Sequence, residues 1–170
     1  MSENAVDFKN VFAALNELVN DGVVEAYALG GATAFLFYAE PVRTYDLDVF
    51  VFLPSQESII FSMNPLYTEL TNRGYATKDE HVMMFNTPVQ FLPAHNELAV
   101  EAVEQARTHN YDGVPVKVIA PEYLIALSLQ AGGAKRRIRV EALLEEAADE
   151  IDSDKLRSIL DANHIQLPID

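Results

Sequence analysis

The stretch Thr44-Tyr45-Asp46-Leu47-Asp48-Val49-Phe50-Val51-Phe52 narrows the choice of fold more than any other part of this chain. Its β-branched and aromatic residues favour a strand, and an extended strand sends residues i and i+2 to one face. Asp46 and Asp48 therefore point one way, while Leu47, Val49 and Val51 point the other. Two like charges held that close invite a divalent cation. Hard oxygen ligands suit magnesium, or manganese in its place, ions that keep several waters and share their sites with substrate phosphates.

Upstream, Tyr27-Ala28-Leu29 reads as a buried strand that runs into Gly30-Gly31 and then into a helical stretch, Ala32-Thr33-Ala34-Phe35-Leu36-Phe37-Tyr38. Glycines let the backbone approach a ligand closely, and the N–H groups of a first helical turn attract anions. The order strand, glycine pair, helix is phosphate geometry. A phosphate then lies between these amides and a metal on Asp46 and Asp48.

Leu29-Gly30-Gly31, fourteen intervening residues, and Asp46-Leu47-Asp48-Val49 together resemble the nucleotidyltransferase signature of the DNA polymerase beta superfamily. The variant Arg43-Thr44-x-Asp46-Leu47-Asp48 is most similar to small bacterial proteins grouped with the AbiEii abortive-infection toxins. The resemblance spans Ala26 to Glu145. It implies a short mixed sheet flanked by helices, with Gly30, Gly31, Thr33, Arg43 and Thr44 at a nucleotide and Asp46 and Asp48 on magnesium. Active members carry a third carboxylate on a later strand. The strand here is Thr87-Pro88-Val89-Gln90-Phe91-Leu92-Pro93, and its matching position holds Gln90. An amide oxygen can coordinate a cation, but glutamine cannot take up a proton near neutral pH. Ser128 likewise stands where AbiEii-like enzymes carry a lysine.

Charge limits the partners. Of 170 residues, 26 are acidic and 12 basic, a net charge of −14. Such a surface repels nucleic acid, because phosphate contacts need clustered Lys and Arg, so no strong non-specific binding is expected. Four of the basic residues nevertheless fall in Lys135-Arg136-Arg137-Ile138-Arg139. That patch can hold a triphosphate, with Arg136, four residues before the inward-facing Val140, best placed to lean into a cleft. Its alternative is ion pairing, for example Arg137 with Glu141 at i+4. The acidic run from Glu141 to Asp154 reads as one helix with a charged outer face.

The chain has no cysteine, which excludes disulfides and thiolate metal sites. Residues Met1 to Asp7 show neither a basic region nor an apolar run, and no apolar stretch approaches the roughly 20 residues that a membrane helix needs. The expectation is a soluble, cytoplasmic protein.

A pass along the chain gives an α/β (α+β) pattern. Phe8, Val11, Phe12, Leu15, Leu18 and Val19 keep helical spacing up to Asn20-Asp21-Gly22. Strands are expected near Ala26 to Leu29 and Leu47 to Leu53. A helix over Ser55 to Arg73, interrupted at Asn64-Pro65, follows, then short strands at Tyr75 to Thr77, Val82 to Phe85 and Val89 to Leu92. Residues 107–118 form a hairpin around Asp112-Gly113. From Pro121 the pattern is helical, with Gly132-Gly133 as a turn, Val140, Leu143, Leu144, Ala147 and Ile151 as the stripe of a second helix, and Asp152-Ser153 opening a third. Residues 1–120 thus read as the nucleotidyltransferase-like core and 121–170 as a C-terminal helical segment packed on it in one unit. His81, His95, His109 and His164 lack metal-ligand spacing and read as surface or capping residues.

Two functions remain. In the first, the chain binds Mg-NTP and an acceptor hydroxyl attacks the α-phosphorus with release of pyrophosphate; the acceptor is RNA, a protein or a small molecule such as an aminoglycoside. In the second, a degenerate nucleotidyltransferase holds a nucleotide or a partner protein without turnover. Gln90 favours the second and the intact Asp46-x-Asp48 pair the first, which ranks ahead. A toxin role with a companion antitoxin follows from the resemblance alone.

Overall fold

In the computed structural model, which describes residues 7–39, 46–54 and 63–168, the first apolar stripe becomes helix α1 (Phe8–Asn20). Asp7 caps it, its carboxylate accepting from the Asn10 amide at 3.1 Å, and Val11, Phe12, Leu15 and Leu18 are buried. The strands β1 (Ala26–Gly30), β2 (Leu47–Phe52), β3 (Ala76–Lys78), β4 (His81–Met84), β5 (Thr87–Pro93), β6 (Arg107–Tyr111) and β7 (Val114–Val118) form one sheet in the order β3-β4-β5-β2-β1-β7-β6. The β2–β5 and β1–β7 pairs are parallel and the others antiparallel, which makes this the mixed sheet that the resemblance implies.

Facing is decided by burial. Leu47, Val49 and Val51 are at most 1% exposed, and on neighbouring strands so are Val82, Met84 and Val89. Each such side chain contributes roughly 1.5–3 kcal/mol when removed from water. A slip of one residue in β2 would exchange these for Asp48, Phe50 and Phe52, so register and facing are strongly specified.

Helix α2 (Gly31–Phe35) is shorter than the expected run to Tyr38. Beyond Phe35 the chain turns through i→i+3 bonds, Leu36 to Thr33 and Phe37 to Ala34, each at 3.1 Å. Tertiary contacts favour that turn: the Tyr38 hydroxyl donates to the Ile119 carbonyl at 3.0 Å, and Phe37 packs against Phe12 and His109. Helix α3 (Asn64–Asn72) starts where an interruption was expected, with Pro65 in its first turn, where a missing N–H costs nothing. The first part of the expected helix, residues 55–62, lies outside the described residues.

Helix α4 (Glu97–Glu104), absent from the sequence reading, is capped by the Asn96 side chain accepting from the Ala99 amide at 2.8 Å. Helices α5 (Pro121–Ala131), α6 (Ala134–Glu146) and α7 (Ser153–Ala162) follow, with Tyr123 to Ala126 of α5 entering the main core. The acidic run is not one helix. α6 stops at Glu146, a 3₁₀ turn covers Ala148–Glu150, and Asp152 caps α7 by accepting from the Lys155 amide at 3.1 Å. Ala147 and Ile151 therefore lie past the end of the helix whose stripe they were expected to join. Among the described residues no helix is long and apolar enough to cross a membrane.

Candidate functional site

Gly30 ends β1 opposite Asp48 of β2, and Asp48 lies opposite Gln90 of β5. Paired positions on adjacent strands share a face, so Gly30, Asp48 and Gln90 stand in one row across three strands. The β4–β5 register continues that row. Val82 faces Val89 and Met84 faces Thr87, which sets His81 opposite Gln90.

Gly31 opens α2 with φ of +57°, a conformation that only glycine adopts at low cost. A Cβ placed there would run into the carboxylate of Asp48, and one on Gly30 would come within 2.6 Å of the Phe50 ring. Both glycines are required by close approach. At Gly31 the backbone and the Asp48 carboxylate approach each other closely. α2 itself has five residues, too few for a large helix dipole, so any anion here depends on local N–H groups.

Thr33 is 2% exposed, and its hydroxyl donates to the Asp46 carbonyl at 3.0 Å. The side chain that the resemblance places at a nucleotide thus ties the glycine loop to the start of β2. Asp46 precedes β2 by one residue, with its side chain 49% exposed. His81 Nε2 lies 3.3 Å from its Oδ2.

The Asp48 carboxyl titrates above the ordinary carboxylate range. Burial is the main cause and the neighbouring Asp46 carboxylate the next; Arg136, His81 and Arg139 pull the other way. The Asp46 and Asp48 carboxylates are thus close enough to interact, in keeping with the alternation of β2. Arg136 and Arg139 of α6 are near enough to act on Asp48 electrostatically, and Arg136 hydrogen-bonds the Gly132 carbonyl at 3.1 Å. No ion pair joins Arg137 to Glu141 among the described residues, so the basic patch is not neutralised in the expected way. Arg43 and Thr44 lie outside the described residues.

A divalent cation here would meet two hard oxygen donors, the half-buried Asp48 carboxylate and the half-exposed Asp46 carboxylate. No set of three or more His, Cys, Asp or Glu side chains suited to a metal occurs among the described residues. A cation here would take Asp46 and Asp48, with water and phosphate oxygens completing its shell, as magnesium commonly does.

Sequence reasoning read His81 as a surface or capping residue and named Arg139 only within the basic patch. The signal for His81 lay in Phe85-Asn86, both at positive φ, which make a two-residue hairpin turn and thereby fix which β4 residue meets Gln90. An apolar hollow of about 600 Å³, lined by Asn16, Tyr27, Phe52, Val103 and Lys117, opens at the far end of β1 and takes no part in this row.

Comparison with known proteins bears on the architecture. An antigenic nucleotidyltransferase-like protein from Paracoccidioides brasiliensis superposes with a TM-score of 0.60 at 15% identity, over 95% of this chain and 88% of that one. The fold is nucleotidyltransferase-like. The antibiotic-resistance factor ANT(2'')-Ia aligns in its solution structure with a TM-score of 0.52 at 13% identity, covering 92% of this chain and 91% of that chain. Its crystal structure in complex with adenylyl-2''-tobramycin gives 0.53 at 12%, covering 93% and 98%. No family model and no curated protein matches the sequence.

Proposed function

We propose that this chain binds a nucleoside triphosphate with magnesium or manganese and transfers its nucleoside monophosphate to an acceptor hydroxyl. The observation that carries this reading is the row Gly30, Asp48, Gln90, with Gly31 pressed against the Asp48 carboxylate. The backbone at Gly30 and Gly31 would seat the phosphates and Arg136 would meet their charge, with Arg43 and Thr44 assigned to the nucleotide by the resemblance alone. Thr33 would act by holding Asp46 in place. Asp46 and Asp48 would hold the cation, which when bound neutralises phosphate charge and orients the reacting oxygens. The acceptor oxygen forms a bond to the α-phosphorus, the α–β bridging P–O bond breaks, and pyrophosphate leaves with its electron pair. The proton of the acceptor must go to a base other than Gln90.

The adenylylated tobramycin bound to ANT(2'')-Ia favours a small-molecule hydroxyl among the acceptors, beside RNA and protein. The AbiEii-like subgroup, a paired antitoxin, a cytoplasmic location and the division into 1–120 and 121–170 belong to the same reading. A specific observation favours the second reading, a nucleotide- or partner-binding protein without turnover: the position opposite Asp48 is a neutral amide. One experiment separates them. The pure protein is incubated with each radiolabelled nucleoside triphosphate, magnesium and a cell extract. A labelled fraction with pyrophosphate release establishes transfer; nucleotide binding without label leaves the second reading.

A further inference from the structure

The cation site proposed above has two carboxylates, and the two are held very differently. Asp48 is fixed by the sheet, paired on both sides and packed on Gly31. Asp46 stands before β2 begins with its side chain half-exposed, and among its contacts is the imidazole of His81, whose Nε2 lies 3.3 Å from Oδ2. Val82 and Met84 of β4 are buried, so alternation sends His81 to the other face, the face of Asp48 and Gln90. The Phe85-Asn86 turn fixes the register, and the imidazole reaches past Gln90 to Asp46 Oδ2.

We infer that His81 is a positioning residue for the cation site, donating Nε2–H to Asp46 Oδ2 so that Oδ1 of Asp46 is held toward the cation. A carboxylate only accepts, so the contact requires the proton on Nε2. Hydrogen-bond partners of metal-ligating carboxylates orient the ligand, and losing one commonly lowers metal affinity by about 10–100-fold. The need is greater here, because Gln90 leaves the site with two anionic ligands. The inference rests on the metal-dependent reading above, and its test uses the cation alone.

The experiment measures Mn²⁺ affinity without nucleotide, by the paramagnetic resonance of free Mn²⁺, for wild type, His81→Ala and His81→Gln. Circular dichroism and thermal melting verify that each variant is folded. The alanine variant should lose about ten-fold or more in affinity. The glutamine variant, whose side-chain N–H has similar reach, should recover most of that loss. A second readout, long-range ¹H–¹⁵N correlation of the imidazole, should show the Nε2–H tautomer in wild type and its loss of preference in Asp46→Asn. Unchanged Mn²⁺ affinity in folded His81→Ala, or an Nδ1–H tautomer in wild type, overturns the inference. Wild type that binds no Mn²⁺ at millimolar concentration overturns it together with the metal part of the reading. A His81-dependent Mn²⁺ site in a protein that never binds or transfers nucleotide leaves the positioning role standing and removes the transferase reading.

Discussion

The Thr33 hydroxyl donates to the backbone carbonyl of Asp46 at 3.0 Å, closing the gap between the glycine loop and the carboxylate strand. The bond ties the two ends of the candidate site together. Thr33→Val keeps the shape and removes the donor, leaving a partly buried carbonyl without it. A loss of about 1 kcal/mol in stability is expected. Thr33→Ser should restore it, and urea titrations of the three proteins check this. The valine variant should also bind Mn²⁺ less tightly, since Asp46 loses its backbone anchor.

Gly31 and Gly113 make an internally controlled pair. Both have positive φ, +57° and +86°, so alanine at either position strains the backbone by roughly 1–2 kcal/mol. Only at Gly31 does the new Cβ meet anything, namely the Asp48 carboxylate; at Gly113 the space is open. Gly31→Ala should therefore abolish metal-assisted nucleotide binding as well as lowering the melting temperature. Gly113→Ala should lower the melting temperature alone. Calorimetry with Mg-NTP distinguishes the two, and equal binding by both variants would remove Gly31 from the site.

Asp48 is expected to weaken the metal-free fold at neutral pH. Its carboxyl titrates above the ordinary value of 3.8 because it is partly buried beside Asp46. The folded state thus holds the proton more tightly than the unfolded chain. The stability this contributes is full below 3.8 and is lost as pH rises through the higher folded value. Asp48→Asn should raise the melting temperature of the metal-free protein at pH 7, with a gain that shrinks as pH falls toward 4. Divalent cations should stabilise wild type and leave the asparagine variant unchanged. Thermal melts from pH 4 to 8, with and without Mg²⁺, test both halves.

Parts of this architecture are legible in the sequence where local pattern and tertiary demand agree. Helix α1 has a capping Asp7 and an unbroken stripe; the Asp112-Gly113 turn forces the β6–β7 hairpin; Leu47, Val49 and Val51 fix the facing of β2. The misses have physical reasons. α4 is only eight residues long, so its stripe of Leu98, Ala99, Ala102 and Val103 gives a weak period, and the Asn96 cap is its clearest sign. α2 ends early because Tyr38 is drawn to the Ile119 carbonyl, a contact 81 residues away in the chain. The Asp pair and the glycine pair are readable because the chemistry needs adjacent residues. His81 is not, because its meeting with Asp46 depends on the registers of two strand pairs, β4–β5 and β2–β5.

Gln90 offers the sharpest test of what the site can do. It pairs with Asp48 in the parallel β2–β5 register and its side chain is half-buried on the same face. A carboxylate at this position would add a third anionic ligand, whereas the amide leaves the cation one negative charge short and the acceptor without a nearby base. Gln90→Asp should therefore strengthen Mn²⁺ binding and, with the rest of the site intact, raise nucleotidyl transfer from slow or absent to measurable. Without metal the same change should destabilise the fold, because a second carboxylate then crowds the already repelled Asp48. Gln90→Ala controls for loss of the amide and should bind Mn²⁺ no better than wild type. Mn²⁺ affinity, label incorporation and metal-free melting temperature are compared for the three proteins. A fast wild-type enzyme whose aspartate variant is impaired would mean that the glutamine amide itself serves the reaction and that the base lies elsewhere.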